Sequence, residues 1–539
     1  MESLAKPVEQ SWLSWFAKGL LALTFIVIIG RLFELQIIKG GYFRSLAEEN
    51  RVRKIPIMAP RGKVLARGGE EIISNKEVKN QGIDETNLVD FITEWERIYS
   101  LGSALAHVTG YLGEVNEKEV GKVNPGCLEK GPYRLGSLIG RGGLEEYYEC
   151  TLRGIDGEEL VEVDTFGQKV RVLGRRKPVP GEDIQTTIDY NLQKKVVEVM
   201  GSEIKVGKER VIPANKLGAV VATDTRGEVL AFYSSPSFDP NLFMDKSENS
   251  QKTLANLLQD KKLPFFNRVI SGSYHPGSLF KIVTATAALE EGKINEDFRY
   301  TDMGFISVGD FSYKNWYFTQ YGGVEGEIDL VKAIARSTDT FFYKLGELVG
   351  AESLASWAKK LGLGKKVGID LPSEKEGLVP TPDWKEKTKG ERWFLGNTYH
   401  MAIGQGDVEV TPLQANMLTL FIASKGLLCK AHLIKTNEGE CTELKVKKET
   451  FDLVKEGMVG ACSPGGTAFP FFDFKPQVAC KTGTAETGTK ENSHAWFTVF
   501  APVDEPKIVV TVFVENGGEG SYVAAPIAKE ILKYYFQSN

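Results

Sequence analysis

His275-Pro276-Gly277-Ser278-Leu279-Phe280-Lys281, running straight into the apolar stretch 282–289, is the segment on which the reading of this chain turns. Pro and Gly stand where a helix would begin, so Ser278 falls in its first turn and Lys281 lies one turn along the same face. A serine hydroxyl is a poor nucleophile until a neighbouring group takes its proton. An amine serves as that base only when neutral, a state reached when burial or a nearby cation lowers its pKa. A helix N-terminus also favours negative charge developing at such a serine. Taken alone, Ser-x-x-Lys is a spacing that chance supplies, so the segment needs company.

Two further clusters supply it. Ser337-Thr338-Asp339 precedes the apolar run TFFYKLGELV, and on its own it reads as N-cap chemistry, since all three residues are good caps. The functional reading places the Ser337 hydroxyl beside Lys281 as a proton relay, with Asp339 holding the lysine or a substrate amide. Lys481-Thr482-Gly483-Thr484 lies in a strand-like run, where a glycine marks the close approach of a ligand or another backbone. Lys481 offers positive charge, the two threonine hydroxyls suit a carboxylate, and an exposed strand pairs with an extended peptide. Alone, a lysine that protects a sheet edge explains the same residues. Cys480 is expected to turn away from the Lys481 face, as a buried structural thiol. His275 reads as a packing or surface residue beside Pro276, and Gly404 and Gly406 as a tight turn near the site.

Around these clusters the chain has the texture of an α+β domain. LGAVVATDTRGEVLAFYSS (217–235) predicts a hairpin turning at 225–227; 278–292 and 331–350 predict helices, the second mostly helical. The β-branched runs 478–486, 494–503 and 507–516 predict strands, and 525–536 a closing amphipathic helix. The expected sheet is antiparallel with helices on its faces. Upstream, 187–200 begins a helix with Asp189 as its N-cap, and the preceding region is mainly β with Gly/Pro-rich turns. The expected boundaries are a tail and membrane anchor at 1–40, a pedestal at 41–190, and the α+β domain at 191–539.

The anchor is WLSWFAKGLLALTFIVIIG (12–30), broken only by Lys18. Roughly 20 apolar residues cross a bilayer, and no small-x-small cleavage site follows, so the helix is expected to be retained. Glu2, Lys6 and Glu9 precede the span, while Arg31, Lys39, Arg44, Arg51, Arg53 and Lys54 follow it. That asymmetry opposes export of the body under the positive-inside rule, although long domains translocate largely regardless of such charges. A net charge of −5 without a dominant basic stretch gives no footprint for nucleic acid. None of the six cysteines forms a C-x-x-C pair, which removes zinc-ribbon and thioredoxin-like readings. Cys429 with Cys441 and Cys127 with Cys150 are spaced to bridge, and buried free thiols fit the sequence equally well.

The three clusters, in this order within one domain, resemble the penicillin-binding proteins and serine β-lactamases. NRVRKIPIMAPRGKVLARGG and LIGRGGLEEYYECTLRGIDG are similar to pedestal (dimerisation) segments of class B penicillin-binding proteins, and MAIGQGDVEVTPLQ to their transpeptidase domain. Ser-x-Asp in place of Ser-x-Asn, with STDTFFYKLGELVG, resembles the elongation-type penicillin-binding protein 2 branch; a pedestal with little room between 74 and 135 keeps a division-type relative as the alternative.

The resemblance implies a peptidoglycan D,D-transpeptidase that works through a serine acyl-enzyme and is inhibited by β-lactams. Ser278, Lys281 and Ser337 would be catalytic. Asp339, Lys481, Thr482, Gly483 and Thr484 would bind substrate, and the backbone N–H groups of Ser278 and Thr484 would form the oxyanion hole. Its substrates would be stem peptides, a D-Ala-D-Ala donor and an amine acceptor. Its partner would be a multi-span glycan polymerase, at the bacterial cell membrane with the catalytic domain outside. No cofactor is implied. Some relatives carry a metal site between the first two motifs, whereas 282–336 holds neither His nor Cys, so no metal is expected. Two other classes share the fold: a β-lactam sensor or β-lactamase, which needs a base for water that the sequence does not display, and a non-catalytic scaffold, which would not need all three motifs intact.

Overall fold

The structure, a computed structural model, describes residues 12–81, 91–164, 166, 168–207, 210–435, 440–487 and 493–538; the charged tail at 1–11 lies outside the described residues. Two compact units emerge: Met1–Pro60, Glu77–Trp95 and Gly154–Pro180 form one, and Arg61–Lys76, Glu96–Arg153 and Gly181–Asn539 the other.

In the first unit, helix α1 (Trp12–Phe33) runs on through a π-helical turn at Glu34–Ile38, and none of its residues is buried. The 27 residues Trp12–Ile38 are long and apolar enough to cross a membrane, rising roughly 40 Å at the α-helical pitch. Leu, Ile and Phe side chains stand exposed around the helix, and Trp12 and Trp15 gather at one end, as interfacial aromatics do. Beyond it, β1 (Val52–Ile57), β2 (Gly157–Val163) and β3 (Lys169–Arg176) form an antiparallel sheet with β2 in the centre.

In the second unit, α2 (Tyr190–Gly201) is capped as expected by Asp189, whose carboxylate accepts from the Asn191 and Leu192 N–H groups. The hairpin follows as β4 (Gly218–Thr223) and β5 (Val229–Ser235). Next come α3 (Lys281–Glu290), α4 (Leu330–Arg336), α5 (Asp339–Val349), α6 (Pro412–Ala423) and α7 (Lys448–Ala461). The chain closes with β6 (Ala479–Ala485), β7 (His494–Ala501), β8 (Ile508–Val514) and α8 (Ala524–Ser538). The five strands order as β5-β4-β8-β7-β6, antiparallel throughout.

Every residue of β8 is buried, which explains why its sequence is a continuous apolar run without alternation. One face of the sheet packs on α2 and α8, the other on α3 and α6. α6 is buried over its whole length, and its start is fixed by a capping box between Thr411 and Gln414 with Pro412 at the first turn. β6 is one of the two edge strands, so the Lys481–Thr484 cluster stands at the margin of the sheet.

The stretch 331–350 is mostly helical as expected, in two helices, α4 and α5, that part at Ser337, which adopts a left-handed φ of 56°. Two other readings are corrected. No side chain caps α5, so the N-cap reading of Ser337-Thr338-Asp339 fails. Cys480 is not a free thiol: it pairs with Cys462, the residue that ends α7 where that helix packs on β6. The Cys127–Cys150 and Cys429–Cys441 bridges form as their spacing allowed.

Candidate active site

Ser278 sits in a 3-10 turn, Gly277–Phe280, that feeds directly into α3, and Lys281 is the first residue of that helix. The turn is pressed against the edge strand β6. A Cβ on Gly277, which has φ +53°, would meet the Thr484 carbonyl oxygen at 2.5 Å; one on Gly483 would meet Trp496 Cβ at 2.9 Å and the Pro276 oxygen at 3.1 Å. These two glycines let the Ser278 turn and the strand touch backbone to backbone. Gly404 completes the contact, its carbonyl accepting from the Gly277 N–H at 2.9 Å, so the turn read at Gly404–Gly406 does adjoin the site.

The Thr484 carbonyl faces this junction and also accepts from Gln405 Nε2 at 3.4 Å. In a strand a residue's N–H and C=O point to the same side, so the Thr484 N–H is turned toward the Ser278 turn as well.

Beneath this junction three distant segments meet at one hydroxyl. Ser337 Oγ accepts from Lys281 Nζ at 3.1 Å and from Lys481 Nζ at 2.9 Å. Lys281 also donates to the Ser337 carbonyl at 2.7 Å and to Asp339 Oδ1 at 2.6 Å, and Lys481 to the Thr482 carbonyl at 2.9 Å. None of the Lys281 contacts runs to Ser278; catalytic hydrogen bonds commonly tighten only when substrate arrives.

Both lysines are fully buried. Burial pushes the Lys281 amine below its ordinary range, with the Asp339 carboxylate opposing. Burial pushes Lys481 well below, and the neighbouring Lys281 charge adds to it. A serine hydroxyl has one proton and two lone pairs, so Ser337 is able to accept from one amine while donating to the other.

Above lies a cleft of about 720 Å³, lined by Ser278, Ser337, Asp339, Thr482 and Thr484 among others. Lys281 and Lys481 do not line it. The charge assigned to Lys481 from sequence is therefore opposed by its burial, and the Thr482 and Thr484 side chains are what the cleft presents to a carboxylate. Thr482 Oγ1 lies 2.8 Å from Thr467 Oγ1, and Thr484 Oγ1 accepts from the Gly520 N–H at 3.4 Å. His275 lines the cleft, with Nδ1 donating to the Val408 carbonyl at 2.7 Å. Gln405 lies within the glycine turn read near the site, whereas Thr467 and Gly520 carried no local sequence signal and only the packing brings them here.

The sequence matches the penicillin binding protein transpeptidase domain over residues 217–533 and the penicillin-binding protein dimerisation domain over 79–186. The chain belongs to the penicillin-binding proteins. Within them it falls in the elongation-type penicillin-binding protein 2 branch: the peptidoglycan D,D-transpeptidase MrdA of Acinetobacter baumannii is 31% identical across 97% of this chain and 87% of its own length. The crystal structure of Pseudomonas aeruginosa PBP2 in complex with WCK 5153 is similar at a TM-score of 0.74 and 32% identity, covering 90% of this chain and 96% of that one. A chain from a peptidoglycan synthase complex, solved to describe the coordination of polymerization and crosslinking, is similar at a TM-score of 0.75 and 29% identity, covering 98% and 99%.

Proposed function

We propose that this chain is a peptidoglycan D,D-transpeptidase of cell-wall elongation, inhibited by β-lactams, with Ser278 as its nucleophile. The observation that carries the reading is the convergence of the Lys281 and Lys481 amines on the Ser337 hydroxyl beneath the turn that presents Ser278.

Ser278 Oγ attacks the carbonyl of the penultimate D-Ala while neutral Lys281 takes its proton. The new C–O bond replaces the C–N bond to the terminal D-Ala, whose departing amine receives a proton through Ser337. The backbone N–H groups of Ser278 and Thr484 hold the oxyanion. Thr482 and Thr484 grip the donor's terminal carboxylate directly. An anion held there favours protonation of Lys481 beneath it, which restores the charge that burial suppresses. Gly483 lets the peptide run beside β6, and Asp339 holds Lys281. An acceptor amine then attacks the ester, forming the cross-link and returning a proton to Ser278.

The pairing of all six cysteines supports an extracytoplasmic body, because such bridges persist in oxidising compartments. The loop charges around the α1 anchor oppose this only weakly, since long domains translocate largely regardless of them. A cytoplasmic tail and anchor (1–40), a pedestal (41–190) and a transpeptidase domain (191–539) remain the proposed organisation. A multi-span glycan polymerase is the proposed partner, by likeness to the synthase complex.

The test is acylation by a fluorescent penicillin read by intact mass. Wild type is expected to carry one stable adduct, and Ser278→Ala none. A folded wild-type protein that stays unmodified overturns the reading, and rapid release of hydrolysed penicillin favours a β-lactamase.

A further inference from the structure

Resting on the transpeptidase reading, we propose that Asp302 and Asn315 are positioning residues for the Lys281–Asp339 pair, gripping the Ser337–Thr340 segment from both sides of Asp339.

Asp302 ends the short strand Tyr300–Asp302 and is wholly buried, yet among the described residues it has no ion-pair partner. Four neutral donors satisfy it instead. Oδ1 accepts from the Gly304 N–H at 2.9 Å and Thr340 Oγ1 at 2.6 Å. Oδ2 accepts from Asn315 Nδ2 at 3.2 Å and the Glu325 N–H at 2.9 Å. A buried carboxylate is costly unless it is fully hydrogen-bonded, and this one is tied to four separate points of the chain.

Asn315 explains where two of those ties lead. It occupies the N-cap position of the turn of helix at Trp316–Tyr321, where an Asn side chain ordinarily accepts from the first N–H groups, but it makes no cap bond. Its Nδ2 donates to Asp302 while its Oδ1 accepts from the Asp339 N–H at 3.1 Å. The partners fix the orientation of this amide, because a carboxylate only accepts and a backbone N–H only donates. The Trp316 N–H, which no cap satisfies, donates to Asp339 Oδ2 at 2.9 Å.

Asp339 is thus held at its backbone by Asn315, at Oδ2 by Trp316, and through its neighbour Thr340 by Asp302. Its Oδ1 is left to Lys281 at 2.6 Å. This polar chain ends on the counter-ion of the catalytic amine, and it lies behind the cleft, with neither Asp302 nor Asn315 among the residues that line it.

Asn315→Ala removes the bridge without adding charge. Asp302→Asn sets an amide NH₂ against a donor in either orientation: one way it faces the Asn315 NH₂ and the Glu325 N–H and breaks the bridge, the other way it faces the Gly304 N–H and keeps it. The reciprocal pair D302N/N315D restores a donor–acceptor match between positions 302 and 315 and an acceptor for Asp339, losing only the bond from Glu325.

The experiment measures, on full-length detergent-solubilised protein, the penicillin acylation rate at saturation and the half-saturating penicillin concentration. Rates are taken per folded, titratable enzyme, alongside the melting midpoint. Asn315→Ala is expected to lower the saturating rate by about ten- to a hundredfold, as a misplacement of order 1 Å does, with half-saturation little changed. Asp302→Asn is expected to lose up to as much, and the reciprocal pair to recover most of what Asn315→Ala loses. Two outcomes overturn the proposal: Asn315→Ala whose folded fraction acylates at the wild-type rate, or a reciprocal pair no faster than Asn315→Ala. Wild type that is acylated normally in the same assay keeps either failure separate from failure of the transpeptidase reading.

Discussion

Replacing Asp339 by Asn tests whether the neutral amine of Lys281 is the working base. The amine lies 2.6 Å from Asp339 Oδ1 and is fully buried. At an effective dielectric near 20, two unit charges at that distance attract by about 6 kcal/mol, an upper bound before the site relaxes. Removal of an adjacent opposite charge in proteins lowers an amine's pKa by about 1–3 units, or roughly 1.4–4 kcal/mol.

The sign follows from the chemistry. Protonated Lys281 cannot accept the Ser278 proton, so acylation falls as pH drops through the lysine pKa. The Asp339 carboxylate favours the protonated form, and a neutral amide in its place would not. The acid limb of the acylation profile is therefore expected to move to lower pH by about 1–3 units. The plateau should fall as well, since a less basic and less firmly held amine is a weaker catalyst. Lys281 and Lys481 share Ser337, so the limb belongs to the pair, and loss of Asp339 lowers both. Stopped-flow acylation with a fluorescent penicillin across the acid range gives the limb directly. A limb that moves upward, or stays in place in a folded Asp339→Asn protein, refutes the reasoning.

Gly277→Ala would place a methyl 2.5 Å from the Thr484 carbonyl in a backbone at φ +53°. The nucleophile's turn and β6 must then part, so acylation is expected to fall about 10²-fold while the melting midpoint drops modestly; an unchanged rate would remove the backbone contact from the mechanism. Replacing Cys462 and Cys480 together by Ser opens a link of sequence separation 18 that ties α7 to the strand bearing Lys481. The expected loss is about 3 kcal/mol, read as a melting midpoint lower by roughly 5–10 °C, whereas a midpoint equal to wild type under oxidising conditions would rule the bridge out as a stabiliser.

What the sequence alone determined lies within short windows. The hairpin at 217–235, the late strands, the Asp189 cap and the membrane-length helix were legible because period and propensity act over a few residues. The tertiary structure decided what depends on partners far along the chain. Ser337 stands where the sequence offers a helix cap, and the fold instead sets its hydroxyl between amines 56 and 144 residues away. Asn315 has the signature of a cap and acts instead as a bridge between two aspartates. Cys480 points away from the site as alternation requires, but its partner, 18 residues upstream, is set by how α7 lies on the sheet. Most consequential is the state of the two lysines. A sequence states their formal charge, whereas burial and mutual repulsion in the folded site decide whether they carry it.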